Sequence, residues 1–457
     1  MPSFHEARQE LEATYRRRTP RSAALYAQAQ RVLPGGDTRA TTYFSPYPSF
    51  IERAAGARLY DVDGNELLDC LNNYTALIHG HALPPVVEAA QQQLARGTAW
   101  AAPNEHAVRL AALICERVPS VARLRFTNSG TEATLLAIRA ARAFTGRDGL
   151  VKIEGGYHGS HEAVAVSITP DLSAAGPAAA PISLADGPGV TQGTLAATRI
   201  VPFNDAAALE RTLAVGRGQI AAVILEPIMG SRGMIPAEPE YLRAVRELTR
   251  AHDVLLILDE VMTFRVDTGG AQAVYGVQPD LTTFAKIIGG GLPVGAFGGR
   301  EDVMRVFDPA AGAIHHGGTF NANPITMAAG LAAMQHLTPE RIAYANRLGD
   351  SLREGLQDVL GEQGLRGQVT GFGSLVGLHL TPQPVRDYRS AASAPHVLRE
   401  LLHLACLNNG LFISPEGMLN TSTVMSEADV TQAVRAVQDA LVTLRPAIQA
   451  ECPQLVG

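Results

Sequence analysis

The feature that most constrains the fold is an alternation of short apolar segments with helical patterns through the middle of the chain. Apolar runs at residues 150–153, 220–225 and 254–258 stand between segments with helical spacing, such as residues 240–252. Short buried strands that alternate with helices are typical of a parallel sheet with helices on both faces. The sequence therefore predicts an α/β protein built on a mainly parallel, doubly wound sheet.

The pattern changes on either side of this alternation. Residues 1 to about 33 show helical spacing, and residues 49–71 indicate a small antiparallel unit with a turn at 61–65. After about residue 337 helices predominate again, with strand-like runs at 375–380 and 411–413. We predict an N-terminal segment and part of a small domain at 1–83, a large domain at 84–337 and a C-terminal small domain at 338–457. An Ala-, Gly- and Pro-rich stretch at 171–200 is predicted to be a surface excursion or lid.

Charge and composition argue against several function classes. The chain of 457 residues has 38 basic and 44 acidic side chains, a net charge of −6, and no basic block that would favour nucleic acid or a membrane surface. Its four cysteines form no C-x-x-C pair, and the histidines at 79, 81, 315 and 316 lack further ligands at metal-binding spacing. No signal-peptide pattern and no apolar run near the roughly 18 residues of a membrane span is present. We expect a cytoplasmic protein with no metal, no nucleic-acid partner and no membrane partner.

Only two of the 38 basic residues are lysines, Lys152 and Lys286. Arginine keeps its proton in a protein, whereas a lysine amine can lose its proton and attack a carbonyl. Lys286 has apolar neighbours and is followed by three glycines at 289–291. Apolar surroundings lower the pKa of an amine, so Lys286 is the candidate nucleophile. Lys152 lies in a predicted strand near Glu154, and we predict a solvated or ion-paired structural residue.

Polar residues stand at the ends of the predicted strands, where open α/β sheets bind their ligands. Ser129-Gly130-Thr131 leads from a strand into a helix, as in a phosphate seat, although an ordinary helix N-cap is the alternative. Tyr157 stands between glycines and is either a ring that stacks on a planar cofactor or a packed core tyrosine. Asp259 ends a buried strand, and a buried carboxylate requires a cationic partner such as a metal ion or a protonated ring nitrogen.

A phosphate seat, a stacking ring, a buried anion and a reactive lysine are together what a protein supplies to pyridoxal phosphate. The motifs that carry these groups resemble those of the class III (ω) aminotransferases, fold-type I enzymes that depend on pyridoxal 5′-phosphate, over residues from about 30 to 440. These motifs are Ser129-Gly130-Thr131-Glu132-Ala133, Gly156-Tyr157-His158-Gly159, Glu226-Pro227, Leu258-Asp259-Glu260-Val261-Met262-Thr263, the Lys286 segment and Gly318-Thr319-Phe320-Asn321. The resemblance implies a large domain with a mainly parallel doubly wound sheet and a small α+β domain formed by both termini.

The resemblance also implies a role for each matching residue. Lys286 would form the imine with the cofactor aldehyde and move protons, and Asp259 would pair with the ring nitrogen. The remaining cofactor-binding residues would be Ser129, Gly130 and Thr131 at the phosphate, Tyr157 stacked on the ring with Val261 behind it, Glu226 near the ring hydroxyl, and Thr319 at the phosphate of the neighbouring subunit's cofactor. That last role implies a homodimer with active sites at the subunit interface.

Within the family the chain is similar to β-amino acid (β-phenylalanine) aminotransferases and to glutamate-1-semialdehyde aminomutases. Thr263-Phe264-Arg265 is one residue shorter than the usual aminomutase segment, and Tyr74 stands where aminomutases usually carry a tryptophan. Arg39 matches the arginine that holds the carboxylate of a β-amino acid. Tyr74 and Phe44 are predicted to line the substrate pocket. Glu416 replaces an arginine of the β-phenylalanine enzyme and would repel a carboxylate if it faces the pocket.

These resemblances lead to one functional hypothesis and two rivals. The first is a ping-pong aminotransferase that moves an amino group from a β-amino acid or arylalkyl amine to pyruvate or 2-oxoglutarate. The second is an aminomutase of the glutamate-1-semialdehyde 2,1-type, which moves the amino group within one molecule. The third is a cofactor-binding protein without catalysis.

Overall fold

The computed structural model describes residues 2–310 and 312–457. Its β-strands, in chain order, are β1 (Ile51–Ala55), β2 (Arg58–Asp61), β3 (Glu66–Asp69), β4 (Arg123–Thr127), β5 (Gly149–Ile153), β6 (Thr198–Val201), β7 (Ile220–Leu225), β8 (Ile228–Met229), β9 (Ile235–Pro236), β10 (Leu255–Asp259), β11 (Leu281–Ala285), β12 (Gly295–Gly299), β13 (Gln368–Phe372), β14 (Leu375–His379), β15 (Leu411–Phe412) and β16 (Met418–Asn420).

The α-helices cover both ends of the chain and alternate with strands in its middle. They are Phe4–Arg18, Pro20–Ala29, Pro84–Arg96, Glu105–Arg117, Gly130–Thr145, Gln192–Ala197, Ala206–Val215, Pro239–Ala251, Ala271–Tyr275, Glu301–Met304, Pro324–His336, Pro339–Glu362, Tyr388–Ala392, His396–Asn408 and Glu427–Glu451. Within the described ranges, no helix combines the length and the apolar content that a bilayer crossing would need.

The central element is a seven-stranded sheet in the order β4-β12-β11-β10-β7-β5-β6. The pairs β6/β5, β5/β7, β7/β10 and β10/β11 are parallel, whereas β12 is antiparallel to both of its neighbours. The segment between β11 and β12 is too short for the crossover of a dozen or more residues that a parallel connection requires. The predicted α/β fold with a mainly parallel sheet is confirmed.

Both faces of this sheet are buried by helices. Along β7, Val223 and Leu225 pack in the cluster that includes helix Pro239–Ala251, whereas Ala222 and Ile224 pack with helix Gly130–Thr145. Successive side chains of a strand point to opposite faces, so a strand buried on both sides is apolar throughout. This double burial explains the continuous apolar run at 220–225 that the sequence showed.

The two ends of the chain share a second, smaller sheet. Strands β1, β2 and β3 form an antiparallel meander, and β15 pairs with β3 in parallel, with Leu411 opposite Leu68. Strands β13, β14 and β16 form a separate antiparallel sheet. One apolar core joins residues from both termini, among them Leu11, Leu68 and Leu401. The boundaries after residues 83 and 337 stay predictions.

The predicted excursion at 171–200 is correct only in its first part. Residues 171–190 have no helix and no strand, but residues 192–197 form a helix and residues 198–200 belong to β6. The prediction was wrong there because β6 lies at the edge of the sheet, paired only with β5, and an edge strand need not be a long apolar run.

Candidate active site

A cavity of about 560 Å³ lies at the carboxyl ends of the parallel strands. Most of the residues predicted to bind the cofactor line it, together with one predicted substrate residue: Arg39, Ser129, Gly130, Thr131, Tyr157, Glu226, Asp259, Val261 and Lys286. The carboxyl ends of neighbouring parallel strands meet at one edge of a sheet, and loops that are distant in sequence therefore converge there.

One wall of the cavity is the N-terminus of helix Gly130–Thr145. Ser129 is the N-cap, and its Oγ accepts a hydrogen bond from the Glu132 backbone N–H at 3.2 Å. The first N–H groups of a helix have no partner within the helix, and they favour an anion. A Cβ at Gly130 would lie 3.3 Å from the Val261 side chain, so a larger residue would crowd this end of the cavity. Ser129 is thus a helix N-cap, and the role of Ser129, Gly130 and Thr131 at a phosphate stays a prediction.

Asp259, the last residue of β10, supplies a buried carboxylate. Its Oδ1 accepts hydrogen bonds from Thr283 Oγ1 at 3.0 Å and from the Val261 backbone N–H at 3.1 Å. Its Oδ2 is 2.8 Å from Nδ1 of His158, which is also buried. These donors fix the carboxylate at the end of the cavity, where it can hold a protonated nitrogen.

His158 is a site residue to which the sequence analysis gave no role. It belongs to the quoted motif Gly156-Tyr157-His158-Gly159, but its partner Asp259 lies on another strand, 101 positions away in sequence. Its Nε2 is buried and has no hydrogen-bond partner among the described residues. The only available signal was a histidine next to a predicted stacking ring.

Lys286 follows β11 and lies half-buried in the cavity. Its backbone has a φ of +54°, a left-handed conformation that is uncommon for residues other than glycine and typical of functional sites. Burial lowers the pKa of its amine to about 8, and the carboxylates of Glu226 and Asp259 oppose this shift. A substantial fraction of the amine is therefore neutral and nucleophilic near pH 8.

The other lysine has different surroundings from those predicted. Lys152 is completely buried in β5, and its Nζ donates to the Ile153 carbonyl at 3.2 Å. Glu154 does not pair with it, because Arg389 binds that carboxylate through two hydrogen bonds of 2.8 and 2.9 Å. The prediction of a solvated or Glu154-paired Lys152 was therefore wrong. Burial lowers the pKa of Lys152 to about 7.

Glu226 and Tyr157 also line the cavity and are connected by a hydrogen bond. Glu226 Oε1 accepts from the Tyr157 backbone N–H, and Oε2 accepts from the Gly230 N–H, both at 3.0 Å. Burial raises the pKa of the Glu226 carboxyl. Tyr157 is 46% exposed and is therefore not a packed core tyrosine. Glu226 thus orients the loop that carries this ring.

The predicted substrate residues divide between two cavities. Arg39 lines the first cavity and also a neighbouring cavity of about 580 Å³, which Phe44 and Tyr74 line. The Arg39 guanidinium donates to Asn73 Oδ1 at 2.9 Å and lies 5.6 Å from the centre of the Tyr74 ring. Arg39 thus stands where the two cavities meet.

Glu416 lies beside the second cavity. Its neighbour Pro415 lines that cavity, and Glu416 Oε2 is buried without a hydrogen-bond partner among residues 2–310 and 312–457. Burial is the main reason that the pKa of Tyr74 is raised, and the Glu416 carboxylate raises it further. Glu416 therefore places negative charge near Tyr74.

Thr319 lies outside the cofactor cavity of its own chain. It is exposed and lines a separate surface cavity of about 270 Å³ with Trp100 and Asn104. Its expected contact with a neighbouring subunit's cofactor stays a prediction. For metals, the part of the chain that the structure describes contains no group of three or more His, Cys, Asp or Glu side chains placed to hold an ion.

Pyridoxal 5′-phosphate fits the residues of the first cavity. Its phosphate matches the helix N-terminus at Ser129–Thr131, its ring nitrogen matches the buried Asp259 carboxylate, and its aldehyde matches the Lys286 amine. The Tyr157 and Val261 side chains line the same cavity, and their predicted contacts with the two faces of the ring stay predictions.

Comparisons with known proteins agree with this chemistry. The family model for aminotransferase class-III matches residues 41–441. The curated glutamate-1-semialdehyde 2,1-aminomutase of Methanocella arvoryzae is 43% identical over 430 residues, which cover 93% of this chain and 99% of that protein.

Two solved structures are similar along almost the whole chain. An ω-transaminase from Sphaerobacter thermophilus is 47% identical, with a TM-score of 0.89, and the match covers 93% of this chain and 98% of that one. A β-phenylalanine aminotransferase from Variovorax paradoxus is 36% identical, also with a TM-score of 0.89, over 97% of this chain and 99% of that one. The chain therefore belongs to the class III aminotransferases and is a pyridoxal-phosphate-dependent enzyme.

Proposed function

We propose that this enzyme transfers an amino group to or from a carbon close to a substrate carboxylate, with Lys286 as the reactive amine. The observation that carries the proposal is that one cavity holds a lysine amine with a lowered pKa, a buried carboxylate and an open helix N-terminus. Arg39 at the mouth of that cavity adds a binding group for the substrate carboxylate.

The bound cofactor supplies an electron sink for the electrons of the bond that breaks at the substrate carbon. Ser129, Gly130 and Thr131 would hold its phosphate, and Tyr157 and Val261 would contact its ring. Asp259 would hold a proton on the ring nitrogen, which would keep positive charge where electron density accumulates. Glu226 would lie near the ring hydroxyl.

Lys286 has two tasks in this proposal. Its amine would hold the cofactor through the aldehyde, and as a free amine it would take a proton from the substrate carbon and return it at another carbon. Burial lowers the pKa of this amine and so favours its neutral form, which is the form that accepts a proton.

Two reactions use this machinery, and the comparisons support the intramolecular one better. The curated relative from Methanocella arvoryzae and further curated relatives at 39 to 43% identity carry the name glutamate-1-semialdehyde 2,1-aminomutase. The first candidate is therefore transfer of the amino group between adjacent carbons of one small carboxylate substrate.

A specific observation favours intermolecular transfer as the second candidate. The cavity of about 580 Å³ beside Arg39 is lined largely by apolar side chains, including Phe44, Leu59 and Phe412. A compact semialdehyde does not need such a space, whereas an aryl or alkyl group of a β-amino acid or amine would fill it. The similar ω-transaminase and β-phenylalanine aminotransferase support this candidate.

We also propose a homodimer in which Thr319 contacts the cofactor of the partner. Thr319 lies in an exposed segment with Phe320, which is 59% exposed, and shares a surface cavity with Trp100, which is 42% exposed. Large exposed aromatic side chains grouped on one surface are typical of an interface. Size-exclusion chromatography with light scattering of the wild type and of Phe320→Asp tests this: a dimer that the substitution dissociates supports the proposal, and a wild-type monomer contradicts it.

One experiment separates the two reactions. The purified enzyme is given glutamate-1-semialdehyde alone, or 3-amino-3-phenylpropanoate with pyruvate or 2-oxoglutarate. Conversion of the semialdehyde without a keto acid supports the aminomutase, and turnover only in the presence of a keto acid supports the aminotransferase. If Lys286→Ala keeps either activity, the proposed chemistry is wrong.

A further inference from the structure

We propose that Arg265 is a positioning residue for substrate binding: it holds a strained left-handed turn at Asn72–Thr75, and this turn fixes Arg39. The inference rests on the proposed role of Arg39 in binding the substrate carboxylate. It assigns Arg265 no contact with the cofactor or the reacting atoms.

The turn is the most strained segment of backbone near the site. Asn72, Asn73, Tyr74 and Thr75 have φ values of +49°, +49°, +54° and +74°, and none of them is glycine. Consecutive L-residues rarely adopt this conformation because each Cβ comes too close to the next carbonyl oxygen, and a β-branched residue such as Thr75 is disfavoured most. Such backbone persists only where surrounding contacts hold it.

Arg265 supplies contacts that hold this turn. Its side chain is fully buried, and Nη1 donates to the Thr75 carbonyl at 3.2 Å and to Asn420 Oδ1 at 2.9 Å. Nε donates to Ser374 Oγ at 2.9 Å, and Nη2 donates to the Thr421 carbonyl. One guanidinium thus links the turn to the connection between β13 and β14, through Ser374, and to the end of β16, through Asn420 and Thr421.

Asn420 and Asp69 complete this support from the other side of the turn. Asn420 Oδ1 also accepts from Asn72 Nδ2 at 3.0 Å, and its Nδ2 donates to the Leu71 carbonyl at 2.8 Å. Asp69 Oδ1 accepts from the backbone N–H groups of Leu71 and Asn72 at 2.9 and 2.7 Å. Asn72 Nδ2, the Asn72 backbone N–H and the Thr75 carbonyl are therefore bound by groups on buried residues.

The charge on Arg265 is unusual because all of its hydrogen-bond acceptors are neutral. Among residues 2–310 and 312–457, no carboxylate forms an ion pair with it. Burial lowers the pKa of Arg265 to about 9, so the guanidinium stays charged at neutral pH. A lysine at this position would have one nitrogen centre, which cannot reach four separated acceptors in fork geometry. The structure thus requires the guanidinium shape and not only the charge.

Residues of this left-handed turn also fix the position of Arg39. Asn73 Oδ1 accepts a hydrogen bond of 2.9 Å from Arg39 Nη1, and the Tyr74 ring lies 5.6 Å from the Arg39 guanidinium. Tyr74 also donates through its hydroxyl to the Thr41 carbonyl, in the same irregular segment as Arg39. A change in the turn would therefore displace Asn73 and Tyr74, the two residues that orient Arg39, which is proposed to bind the substrate carboxylate.

The test compares 3-amino-3-phenylpropanoate with 1-phenylethylamine. Both amines carry the amino group on a carbon bonded to a phenyl ring, and only the first has a carboxylate. The holoenzyme is mixed with each amine, and the loss of absorbance of the lysine-bound cofactor, at about 410–420 nm, is followed. The dependence of this loss on amine concentration gives a half-saturating concentration and a limiting rate. For Arg265→Lys we expect the half-saturating concentration of the carboxylate substrate to rise about tenfold, with the limiting rate and the values for 1-phenylethylamine changed less than about twofold.

Two variants make the result specific. Arg117→Lys alters a half-buried arginine that donates to the Met334 carbonyl and makes no hydrogen bond to residues 72–75, and it should leave the ratio of the two half-saturating concentrations unchanged. Arg39→Ala tests the proposed function by itself. If Arg39→Ala changes nothing for the carboxylate substrate, the carboxylate role is wrong. If Arg39→Ala raises the half-saturating concentration but Arg265→Lys does not, or if Arg265→Lys weakens both substrates equally, the positioning role is wrong.

A second measurement does not need turnover. Thr75→Gly removes the backbone strain at φ +74° and the Thr75 hydroxyl, whose oxygen is buried without a partner among the described residues. The decrease in melting temperature that Arg265→Lys causes should therefore shrink by about half when it is measured in the Thr75→Gly background. Equal decreases in the two backgrounds would show that Arg265 does not hold the turn, and would overturn the inference.

Discussion

Replacing Asp259 by asparagine separates the charge of this carboxylate from its shape. In Asp259→Asn the amide oxygen can occupy the position of Oδ1 and keep the hydrogen bonds from Thr283 Oγ1 and the Val261 N–H. The amide nitrogen then faces Nδ1 of His158, which can accept when the imidazole carries its proton on Nε2. The fold therefore loses about one charge-assisted hydrogen bond, which costs about 1–2 kcal/mol of unfolding free energy.

The expected loss of activity is much larger than the loss of stability. Two opposite unit charges about 4 Å apart interact by about 4 kcal/mol at the effective dielectric constant of about 20 that suits protein sites. If Asp259 holds a protonated ring nitrogen, removal of its charge withdraws most of this stabilisation as electron density develops in the ring. Each 1.4 kcal/mol is about a factor of ten in rate, so we expect the limiting rate to fall about a thousandfold.

The assay is a single-turnover reaction in which the holoenzyme is mixed with excess amine substrate and the cofactor absorbance is followed. Urea unfolding of the same protein gives the stability change, and cofactor content is measured in parallel. Asp259→Glu is the matched variant, because it keeps the charge and changes the reach. A fall of less than tenfold in a folded, cofactor-loaded Asp259→Asn would refute the assignment of Asp259 to the ring nitrogen.

Three further predictions follow from the site. The pKa of Lys286 is lowered from 10.5 to about 8, and only the neutral amine attacks an aldehyde. The rate at which cofactor-free enzyme takes up pyridoxal phosphate should therefore rise about tenfold per pH unit below about pH 8 and level off above it. A midpoint near about pH 10 would contradict the burial of this amine. His158→Phe leaves Asp259 Oδ2 buried without its donor, and urea unfolding should show a loss of about 1–3 kcal/mol, whereas an unchanged midpoint would show that the 2.8 Å contact contributes nothing. Arg39→Ala should raise the KM of a substrate with a carboxylate about tenfold with kcat nearly unchanged; a fall in kcat alone would place Arg39 in the chemical step.

Much of the site could be predicted because it depends on strand ends. Ser129, Tyr157, Glu226 and Lys286 each follow a separate strand of one sheet and Asp259 ends another, so the topology alone brings them to one edge. Continuous apolar runs, such as residues 220–225, also indicate that these strands are buried. The structure therefore adds distances and orientations to a site whose members were recognisable from the sequence.

What could not be predicted depends on contacts between distant segments. Glu154 was expected to lie near Lys152, but Arg389 from the C-terminal segment forms an ion pair with the Glu154 carboxylate. No local sequence pattern predicts a partner that is so distant in sequence. The pairing of His158 with Asp259 is equally non-local. The left-handed turn at 72–75 contains no glycine, and its two asparagines are a weaker signal for this backbone that does not extend to Tyr74 and Thr75.

The division of substrate residues between two cavities was likewise outside the reach of sequence patterns. Phe44 and Tyr74 line the second cavity rather than the one that Lys286 lines, and Arg39 borders both. Only the packing of the irregular segment around Arg39 against the small sheet determines which side chains face which space. Residue type alone indicates an apolar pocket without its position.

The most direct test of the account is to locate the lysine that carries the cofactor. The chain contains only Lys152 and Lys286, so borohydride reduction of the holoenzyme followed by peptide mapping has two possible sites of attachment. We predict a stable phosphopyridoxyl group on the peptide that contains Lys286 and none on the fully buried Lys152. A label on Lys152, or no label on either lysine in an enzyme that is active and loaded, would contradict the central claim.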